Sequence, residues 1–272
     1  MSEICQWYGI SRQAHYKQRI ALSRRECEGN KVIEQVRKIR RRHSRMGTRK
    51  LLGELRPPMG RDRFFDLLRG HDLLIKPKKQ RRPRTTFSGF WRCENLLEGL
   101  VVERVNQVWV SDITYVETET GFCYVSLITD VYSRRIMGYH ASSSLRVEGS
   151  LAALKMAYKQ VHKQAGAPQT IHHSDRGIQY TCGPYRDQLA RYQMKSSMGA
   201  VGNCYDNAIA ERVNGILKLE YELDGCFINL RQVRQALREA VWLYNHERPH
   251  MTLGYRKPDQ VYRAALKSLT IH

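Results

Sequence analysis

Apolar and polar positions in the middle of the chain follow the two-residue period of β-strands. Residues 108–116 are rich in β-branched and aromatic side chains and predict a first strand, while residues 121–129 and 135–141 predict a second and a third. Residues 147–164 then change to a helical period. The pattern therefore predicts three strands joined by short turns and followed by a helix.

The next segment continues this alternation of strands and helices. Residues 170–173 predict a short strand, residues 184–193 a helix, residues 195–198 a strand and residues 208–221 another helix. Three strands, a helix, a strand and further helices are the order of an RNase H-like fold. We expect an α/β domain with a mixed sheet flanked by helices.

The N-terminal 75 residues show helical patterns instead. Gly9 and Ser11 are typical of the turn in a helix-turn-helix, in which Ser11 caps a second helix that presents Arg12 and Lys17 to DNA. Plain helical bundles use the same turn, so that alternative stays open. Further helices are expected over residues 30–42, 47–55 and 60–74.

A basic segment separates this helical head from the rest. It reads K-P-K-K-Q-R-R-P-R-T-T from Lys76, which predicts a linker that also binds phosphates. The DNA contacts expected there are Lys78, Lys79, Arg81 and Arg82. We predict four parts: a head (1–75), a linker (76–99), a catalytic core (100–225) and a C-terminal helical tail (226–272).

The charge of the chain points to a polyanionic partner. Lysine and arginine total 46 against 26 acidic residues, for a net charge of +20. Residues 1–100 hold 25 of these basic residues and 10 of the acidic ones, so the head carries most of the excess. Nucleic acid is the expected partner, a membrane surface is less favoured, and a merely basic surface is the remaining alternative.

The cysteines and the N-terminus indicate a reduced, cytoplasmic protein. There are seven cysteines, an odd count with no C-x-x-C pair, which argues against a disulfide scaffold and a zinc ribbon. No signal-peptide pattern and no long apolar run is present in the sequence. We therefore expect no association with a membrane.

Three acidic residues carry the candidate chemistry. Asp112 lies within the first strand, Asp175 directly follows the fourth, and Glu211 lies on the helix after it. In an RNase H-like sheet the first and fourth strands are neighbours, so the two aspartates can meet, and the helix can bring Glu211 to them. Carboxylates are suitable ligands for two Mg²⁺ ions, which activate the attacking and leaving oxygens in phosphodiester cleavage. A salt bridge from Asp112 to an arginine is the structural alternative.

The helix of Glu211 offers two further polar residues. Asn214 and Lys218 follow Glu211 by three and seven residues, which places all three near one helix face. An amide and an ammonium group beside a metal site would suit DNA phosphates. A solvated lysine is the alternative for Lys218.

Four motifs together resemble one family. They read W-V-S-D-I-T-Y-V, H-H-S-D-R-G-I-Q-Y, G-N-C-Y-D-N-A-I-A-E-R-V-N-G-I-L-K and Y-N-H-E-R-P-H-M-T-L-G-Y-R-K-P. Over roughly residues 100–260 the chain resembles the OrfB product of bacterial insertion-sequence transposases, which are encoded in two overlapping reading frames and have a retroviral-integrase-like core. The head resembles the OrfB front end less specifically.

This resemblance implies a function and its components. It implies that Asp112, Asp175 and Glu211 are the catalytic triad with Lys218 beside them, and that Mg²⁺, replaceable by Mn²⁺, is the cofactor. It also implies strand cleavage and strand transfer at the terminal inverted repeats of an insertion sequence and in target DNA, by a copy-out, paste-in route. A homo-oligomer on DNA, and association or frameshift fusion with the upstream OrfA product, are expected.

Other polar residues have simpler interpretations. Of His172 and His173, we expect one in the strand's core and one toward the site, with metal ligation disfavoured because Mg²⁺ prefers oxygen. Asp130 is expected to cap a turn, and Asp206 or Asn207 to cap the Glu211 helix. The segment Asn245, Arg248, Pro249 and His250 either folds back on the core or contacts DNA.

Two other functions compete with the transposase. A DNA-binding repressor derived from a transposase predicts a broken triad, whereas all three acids are present. Another RNase H-like nuclease or a retroelement integrase predicts a zinc-binding head or a head without a helix-turn-helix, and the bacterial-type motifs oppose it.

Overall fold

The computed structural model describes residues 7, 9, 11–75, 91–162, 169–199 and 208–270. The chain divides into two compact units, Met1–Pro77 and Lys78–His272. The finer division into four parts stays a prediction. Several predicted residues lie outside the described ones, namely Lys78, Lys79, Arg81, Arg82, Asp206 and Asn207.

In residues 11–75 of the first unit the structure has three helices, α1 (Arg12–Arg40), α2 (Thr48–Leu55) and α3 (Arg61–Gly70). Apolar side chains at helical spacing from all three meet in one small core, because each helix has a single apolar face to bury. The buried members are Val32, Ile33, Val36, Met46, Leu51, Phe64 and Leu68.

Helix α1 corrects one prediction. The helix expected after Ser11 and the helix expected over residues 30–42 form one continuous helix of 29 residues. Its first part is exposed, so no apolar period marks it, and residues with good helix propensity and an Arg24–Glu28 ion pair support it instead. The expected cap is present, because Ser11 Oγ accepts a hydrogen bond from the backbone nitrogen of Ala14 at 3.1 Å.

The predicted helix-turn-helix is tested only partly by these residues. Arg12 and Lys17, on the first turns of α1, are exposed to solvent. The residues expected to form the preceding helix lie mostly outside the described part of the chain. The helix-turn-helix and its DNA contacts therefore stay predictions.

The second unit contains a six-stranded mixed sheet. Its strands are β1 (Val108–Thr118), β2 (Gly121–Asp130), β3 (Ile136–Ser142), β4 (Ile171–Ser174), β5 (Lys195–Met198) and β6 (Cys226–Phe227). The order is β3-β2-β1-β4-β5, antiparallel from β1 to β3 and parallel from β1 to β5, and β6 pairs with the far end of β1. The predicted RNase H-like fold is confirmed.

Helices cover both faces of this sheet. They are α4 (Val147–His162), α5 (Ile178–Thr181), α6 (Gly183–Arg191), α7 (Ala208–Glu220), α8 (Leu230–His246) and α9 (Pro258–Thr270). One apolar core lies between the sheet and helices α7 and α8, and another between the sheet and helices α4, α6 and α9. None of the described helices combines the length and the apolar character that a membrane crossing needs.

Helix α4 approaches β3 very closely at one glycine. A Cβ atom added to Gly138 would lie 2.1 Å from the carbonyl oxygen of Ala153 and 3.0 Å from the Cβ atom of Ala157. Two alanines on the helix face a glycine on the strand, so the backbones come together where larger side chains would hold them apart. This contact fixes α4 on its face of the sheet.

Candidate active site

The two predicted catalytic aspartates are brought side by side by strand pairing. In the parallel register of β1 and β4, Ser111 is opposite Ser174. The residue after each serine is an aspartate, so Asp112 and Asp175 occupy neighbouring positions at the point where β4 ends. The sequence-based expectation that the first and fourth strands are adjacent is confirmed.

The surroundings of Asp112 disfavour its ionised form. Asp112 is partly accessible from a cleft, yet protein atoms enclose most of its carboxyl group. Burial raises the pKa of Asp112 to about 7, and the negative charges of Asp175 and, more weakly, Glu211 add to this effect. Hydrogen bonds from Asn214 and from the backbone of Ile113 oppose it. The site therefore concentrates negative charge that a cation would stabilise.

Helix α7 supplies the third acid and two neighbouring polar groups. Its apolar residues pack on the sheet, so the helix crosses β1 near the aspartates. Glu211 is exposed, whereas Asn214 is buried and its Nδ2 donates a hydrogen bond of 2.6 Å to Oδ2 of Asp112. DNA contact by Asn214 stays a prediction, and the described structure uses its amide to hold Asp112.

Lys218 lies about two turns after Glu211 on α7. Its Nζ atom is 4.0 Å from the ring centroid of Tyr115 on β1. β4 borders β1 as far as Ser111, and β6 borders it from Glu117 onward, so the intervening residues form an edge on that side among the described strands. The lysine ammonium group thus lies at this edge, three strand residues from Asp112.

The segment after Asp175 shapes the cleft. The Gly177 backbone nitrogen donates a hydrogen bond of 3.0 Å to Oδ1 of Asp175, and a Cβ atom at Gly177 would lie 2.9 Å from the same oxygen. A side chain at position 177 would therefore displace this carboxylate oxygen. Both aspartates line the cleft together with Tyr115, Tyr124, Leu145, Gly177, Gln179 and Tyr180, among others.

The oxygen atoms of the acids and of Asn214 suit a hard cation, although they do not form a complete metal site. No group of three or more His, Cys, Asp or Glu side chains in the described part of the chain is close enough to hold a metal ion. However, two carboxylates are adjacent, and the buried Oδ1 of Asn214 accepts no hydrogen bond from the described residues. Oxygen ligands of this kind fit Mg²⁺.

The two histidines before Asp175 are structural in this arrangement. His172 Nε2 lies 2.7 Å from Ser111 Oγ and 2.9 Å from the hydroxyl of Tyr185, and burial lowers the pKa of His172 to about 3, so the ring is neutral. His173 is also buried, with Nδ1 2.9 Å from Ser197 Oγ. The expectation that one of them would face the site is not met, since both are enclosed within the sheet's cores.

Asp130 is the turn cap that the sequence predicts. Its carboxylate accepts hydrogen bonds from the backbone and hydroxyl of Ser133 and from the backbone nitrogen of Asn106, at 2.6 to 2.8 Å. Asp130 is fully buried. It is therefore part of the fold rather than a fourth acid of the cleft.

The C-terminal segment folds back on the core, which was one of the two alternatives. Asn245 exchanges two hydrogen bonds with the backbone of Ile136 on β3, at 2.9 and 3.0 Å. Arg248 is buried and forms two hydrogen bonds with Glu220 at the end of α7, at 2.7 and 2.8 Å. These contacts attach the segment after α8 to the sheet and to the end of α7.

Only Asp112 and Asp175 of the residues that line the cleft were predicted from the sequence; those that were missed include Tyr115, Gly177, Gln179 and Tyr180. For the last three, the available signal was their position directly after Asp175 in H-H-S-D-R-G-I-Q-Y. Gln179 Nε2 donates to the carbonyl oxygen of Leu145 at 2.8 Å and so joins two walls of the cleft. Tyr115 lies in W-V-S-D-I-T-Y-V, three residues after Asp112, but its place in the cleft depends on the edge between β4 and β6.

Comparison with protein families identifies the same region. Two family models, each described as "Integrase core domain", match residues 102–204 and residues 192–258. Together they include both aspartates and the whole of α7.

Two relatives extend the similarity. The "Insertion element IS600 uncharacterized 31 kDa protein" of Shigella sonnei is 35% identical over 266 residues, which cover 94% of this chain and 96% of that protein. The "Transposase InsF for insertion sequence IS3A" of Escherichia coli (strain K12) is 35% identical over 173 residues, 61% of this chain. The second alignment covers 58% of the relative, just over half of its length.

Solved structures show weaker similarity. One is described as "Structure of the HTLV-2 integrase catalytic core domain in complex with magnesium (trimeric form)". It is 18% identical, with a TM-score of 0.45, and the match covers 58% of this chain and 97% of that one.

Proposed function

This chain belongs to the family of bacterial insertion-sequence transposases with an integrase core, and we propose that it cuts and joins DNA strands at Asp112, Asp175 and Glu211. One observation carries the proposal. Strand pairing places Asp112 beside Asp175, and burial, together with the negative charge of Asp175, raises the pKa of Asp112 to about 7. Such an accumulation of buried negative charge is costly for folding and is typical of a functional site.

The three carboxylates are the groups that would hold Mg²⁺ or Mn²⁺. When bound, a pair of such ions supplies charge stabilisation to the attacking and leaving oxygens of a phosphodiester. Within the chain, the register of β1 and β4 sets the separation of the two aspartates, and Asn214 holds the carboxylate of Asp112 in one orientation. Gly177 does the same for Asp175 through its backbone nitrogen.

The basic residues of the chain would hold the DNA. Lys218 contacts Tyr115, which follows Asp112 by three residues on β1, and it is the proposed contact to a phosphate near the reacting bond. Arg12 and Lys17 in the head, and the linker residues Lys78 and Arg81, would add phosphate contacts that do not depend on base sequence. We further propose assembly of several copies on paired element ends, with or without the OrfA product.

The test is a strand-cleavage and strand-transfer assay on DNA that carries the terminal repeat of the element encoding this chain. Asp112→Asn, Asp175→Asn and Glu211→Gln should each abolish both reactions in Mg²⁺ and leave DNA affinity within about threefold, because groups that act as a unit fail together. Glu239→Gln, a change to an acid on α8, is the matched control and should cut normally. Near-normal cutting by any of the three variants would remove that residue from the site.

A DNA-binding protein without catalysis is the second candidate. It predicts sequence-specific binding to the terminal repeat and no cleavage by the wild-type chain in Mg²⁺ or Mn²⁺, also when the OrfA product is added. The paired aspartates favour the catalytic function, because a repressor has no use for a carboxyl pair that destabilises its fold.

A further inference from the structure

Three neighbouring side chains form a continuous surface on one side of the acids. The proposed function gives a role to only one of them, Lys218. Lys218 Nζ lies 4.0 Å from the ring centroid of Tyr115, and the rings of Tyr115 and Phe122 meet edge to face, with centroids 5.5 Å apart and an interplanar angle of 85°. Phe122 is 50% exposed, although it is a large apolar residue. We call Tyr115, Phe122 and Lys218 the aromatic shelf.

The shelf has a fixed position relative to the catalytic aspartates. Tyr115 follows Asp112 by three residues on β1, which is about 10 Å at 3.3 Å per residue. The same ring lines the cleft that contains Asp112 and Asp175. Phe122 lies across the β1–β2 hairpin, where it is paired with Glu117 in an unbroken antiparallel register. The shelf is therefore built on two paired strands rather than on a loop.

The packing of the fold explains the position of Tyr115 but not the exposure of Phe122. Tyr115 is half-buried and closes the cleft, and an aromatic pair across two strands stabilises a hairpin. Neither role needs Phe122 to leave half of its surface in water. The combination of an exposed aromatic face with a nearby cation is what proteins use to bind single-stranded nucleic acid, since every base has a π-face and every nucleotide a phosphate.

We propose that the aromatic shelf is a stacking site for an unpaired base of the DNA strand that is cut or joined. This inference rests on the proposed function. A base would stack on Phe122, and its backbone phosphate would contact Lys218. Phe122 is opposite Glu117, five residues beyond Asp112 on β1, so it lies about 17 Å along the strands from that acid. This corresponds to about five steps of 3.4 Å along a stacked strand, so the base lies about five nucleotides from the reacting phosphate. Stacking would hold the strand in register at the acids without reading its sequence.

The experiment measures DNA binding rather than catalysis. Binding is measured to terminal-repeat DNA that carries one abasic nucleotide at successive positions on either side of the reacting phosphate. For the wild-type chain, an abasic nucleotide at one or two of these positions should weaken binding about tenfold. For Phe122→Ala the intact DNA should bind about tenfold more weakly, and the same abasic nucleotides should then cost less than twofold.

Two further variants of Phe122 distinguish stacking by an aromatic ring from a contact with any apolar side chain. Phe122→Leu keeps an apolar side chain and should behave like Phe122→Ala, whereas Phe122→Trp should restore both the affinity and the abasic penalty. Trp242→Ala is the matched control, because Trp242 on α8 has a similarly exposed ring (47%) that lies outside the shelf. It should keep the full abasic penalty.

The outcomes separate this inference from the proposed function. If the wild-type chain shows no abasic penalty, or if Phe122→Ala and Phe122→Leu keep the wild-type penalty, the stacking site is refuted. Cleavage of the same intact DNA by the wild-type chain in Mg²⁺ is measured in parallel. Cleavage without stacking refutes only the shelf, whereas binding and stacking without cleavage would refute catalysis.

Discussion

The side-chain amide of Asn214 donates a hydrogen bond of 2.6 Å to the carboxylate of Asp112, across the interface between α7 and β1. This bond favours the ionised form of Asp112, but burial and the charge of Asp175 outweigh it, and the pKa of Asp112 is raised from 3.8 to about 7. The acid is thus protonated over a pH range in which an unfolded chain would lose its proton.

This difference predicts how the stability of the metal-free protein depends on pH. Between about pH 4 and pH 7 the native state keeps a proton at Asp112 that the unfolded state has lost, so the free energy of unfolding falls as the pH rises. The loss is at most about 4 kcal/mol and is reduced by water in the cleft. Urea unfolding in a chelator at several pH values should show this slope for the wild type, and Asp112→Asn should remove it. Parallel pH profiles for the two proteins would contradict the prediction.

Replacement of Lys218 should affect DNA more than the fold. Its contact with Tyr115 is worth about 0.5–1 kcal/mol, so Lys218→Ala should have only a small effect on the stability. Strand transfer should fall strongly, and Lys218→Arg should retain part of it. The measurements are thermal unfolding and a strand-transfer assay, with Lys155→Ala, which changes an exposed lysine on α4, as the control. A large loss of stability in Lys218→Ala would indicate a structural lysine instead.

The buried pair Arg248–Glu220 should matter for folding and not for DNA binding. Removal of the guanidinium group leaves a poorly solvated carboxylate, so Arg248→Ala should lower the free energy of unfolding by about 3–5 kcal/mol. Arg263 is exposed, and its partner Asp259 keeps an ion pair with Arg135, so Arg263→Ala should cost at most about 1 kcal/mol. Chemical unfolding of both variants is the measurement. Equal losses in the free energy of unfolding of the two variants would show that the buried pair contributes no more to stability than the pair of Arg263.

Two glycine substitutions should act in opposite directions. Gly138→Ala forces α4 away from β3 and should destabilise the protein by about 1–3 kcal/mol or more. A Cβ atom at Gly215 on α7 would meet no atom of the described residues outside the helix's own backbone within 4 Å, so Gly215→Ala should stabilise the helix by about 0.5–1 kcal/mol. The measurement is the melting temperature of each variant. An unchanged melting temperature in Gly138→Ala would mean that the contact with Ala153 relaxes easily.

DNA binding should become less dependent on salt when head residues lose their charge. Each phosphate contact contributes about −0.9 to the log–log slope of affinity against salt, so loss of Arg12 and Lys17 together should reduce the slope by about 1.8. Arg69→Ala on α3 is the control, because its guanidinium group is paired with Asp66 at 2.5 Å. An unchanged slope in the double variant would assign the phosphate contacts to other residues.

The sheet could be predicted closely because its strands have strong local patterns. The predicted strand over residues 195–198 coincides with β5, and that over residues 121–129 differs from β2 by one residue. Strand β6 has two residues and no pattern of its own, so it could not be predicted. Helix α1 was divided in the prediction because its exposed first half lacks an apolar stripe.

The part of the candidate site that lies in short sequence motifs could be predicted. Asp112 lies within one strand pattern and Asp175 directly follows another, and their proximity follows from the strand order. The place of Tyr115 could not be predicted, because β4 and β6 border different parts of β1 and leave an edge that only the assembled sheet defines. The hydrogen bond from Asn214 likewise depends on how α7 crosses that strand.

The parallel pairing of Ser111 with Ser174 limits how this site can tolerate insertions and deletions. One residue gained or lost within β1 or β4 would turn the following aspartate to the opposite face of the sheet, since side chains alternate along a strand. The same change within α7 between Asn214 and Lys218 would rotate the lysine by about 100° around the helix. Length changes in the segments that connect these elements leave both relationships intact. The lengths of these connecting segments can therefore vary, whereas the positions of residues within β1, β4 and α7 cannot.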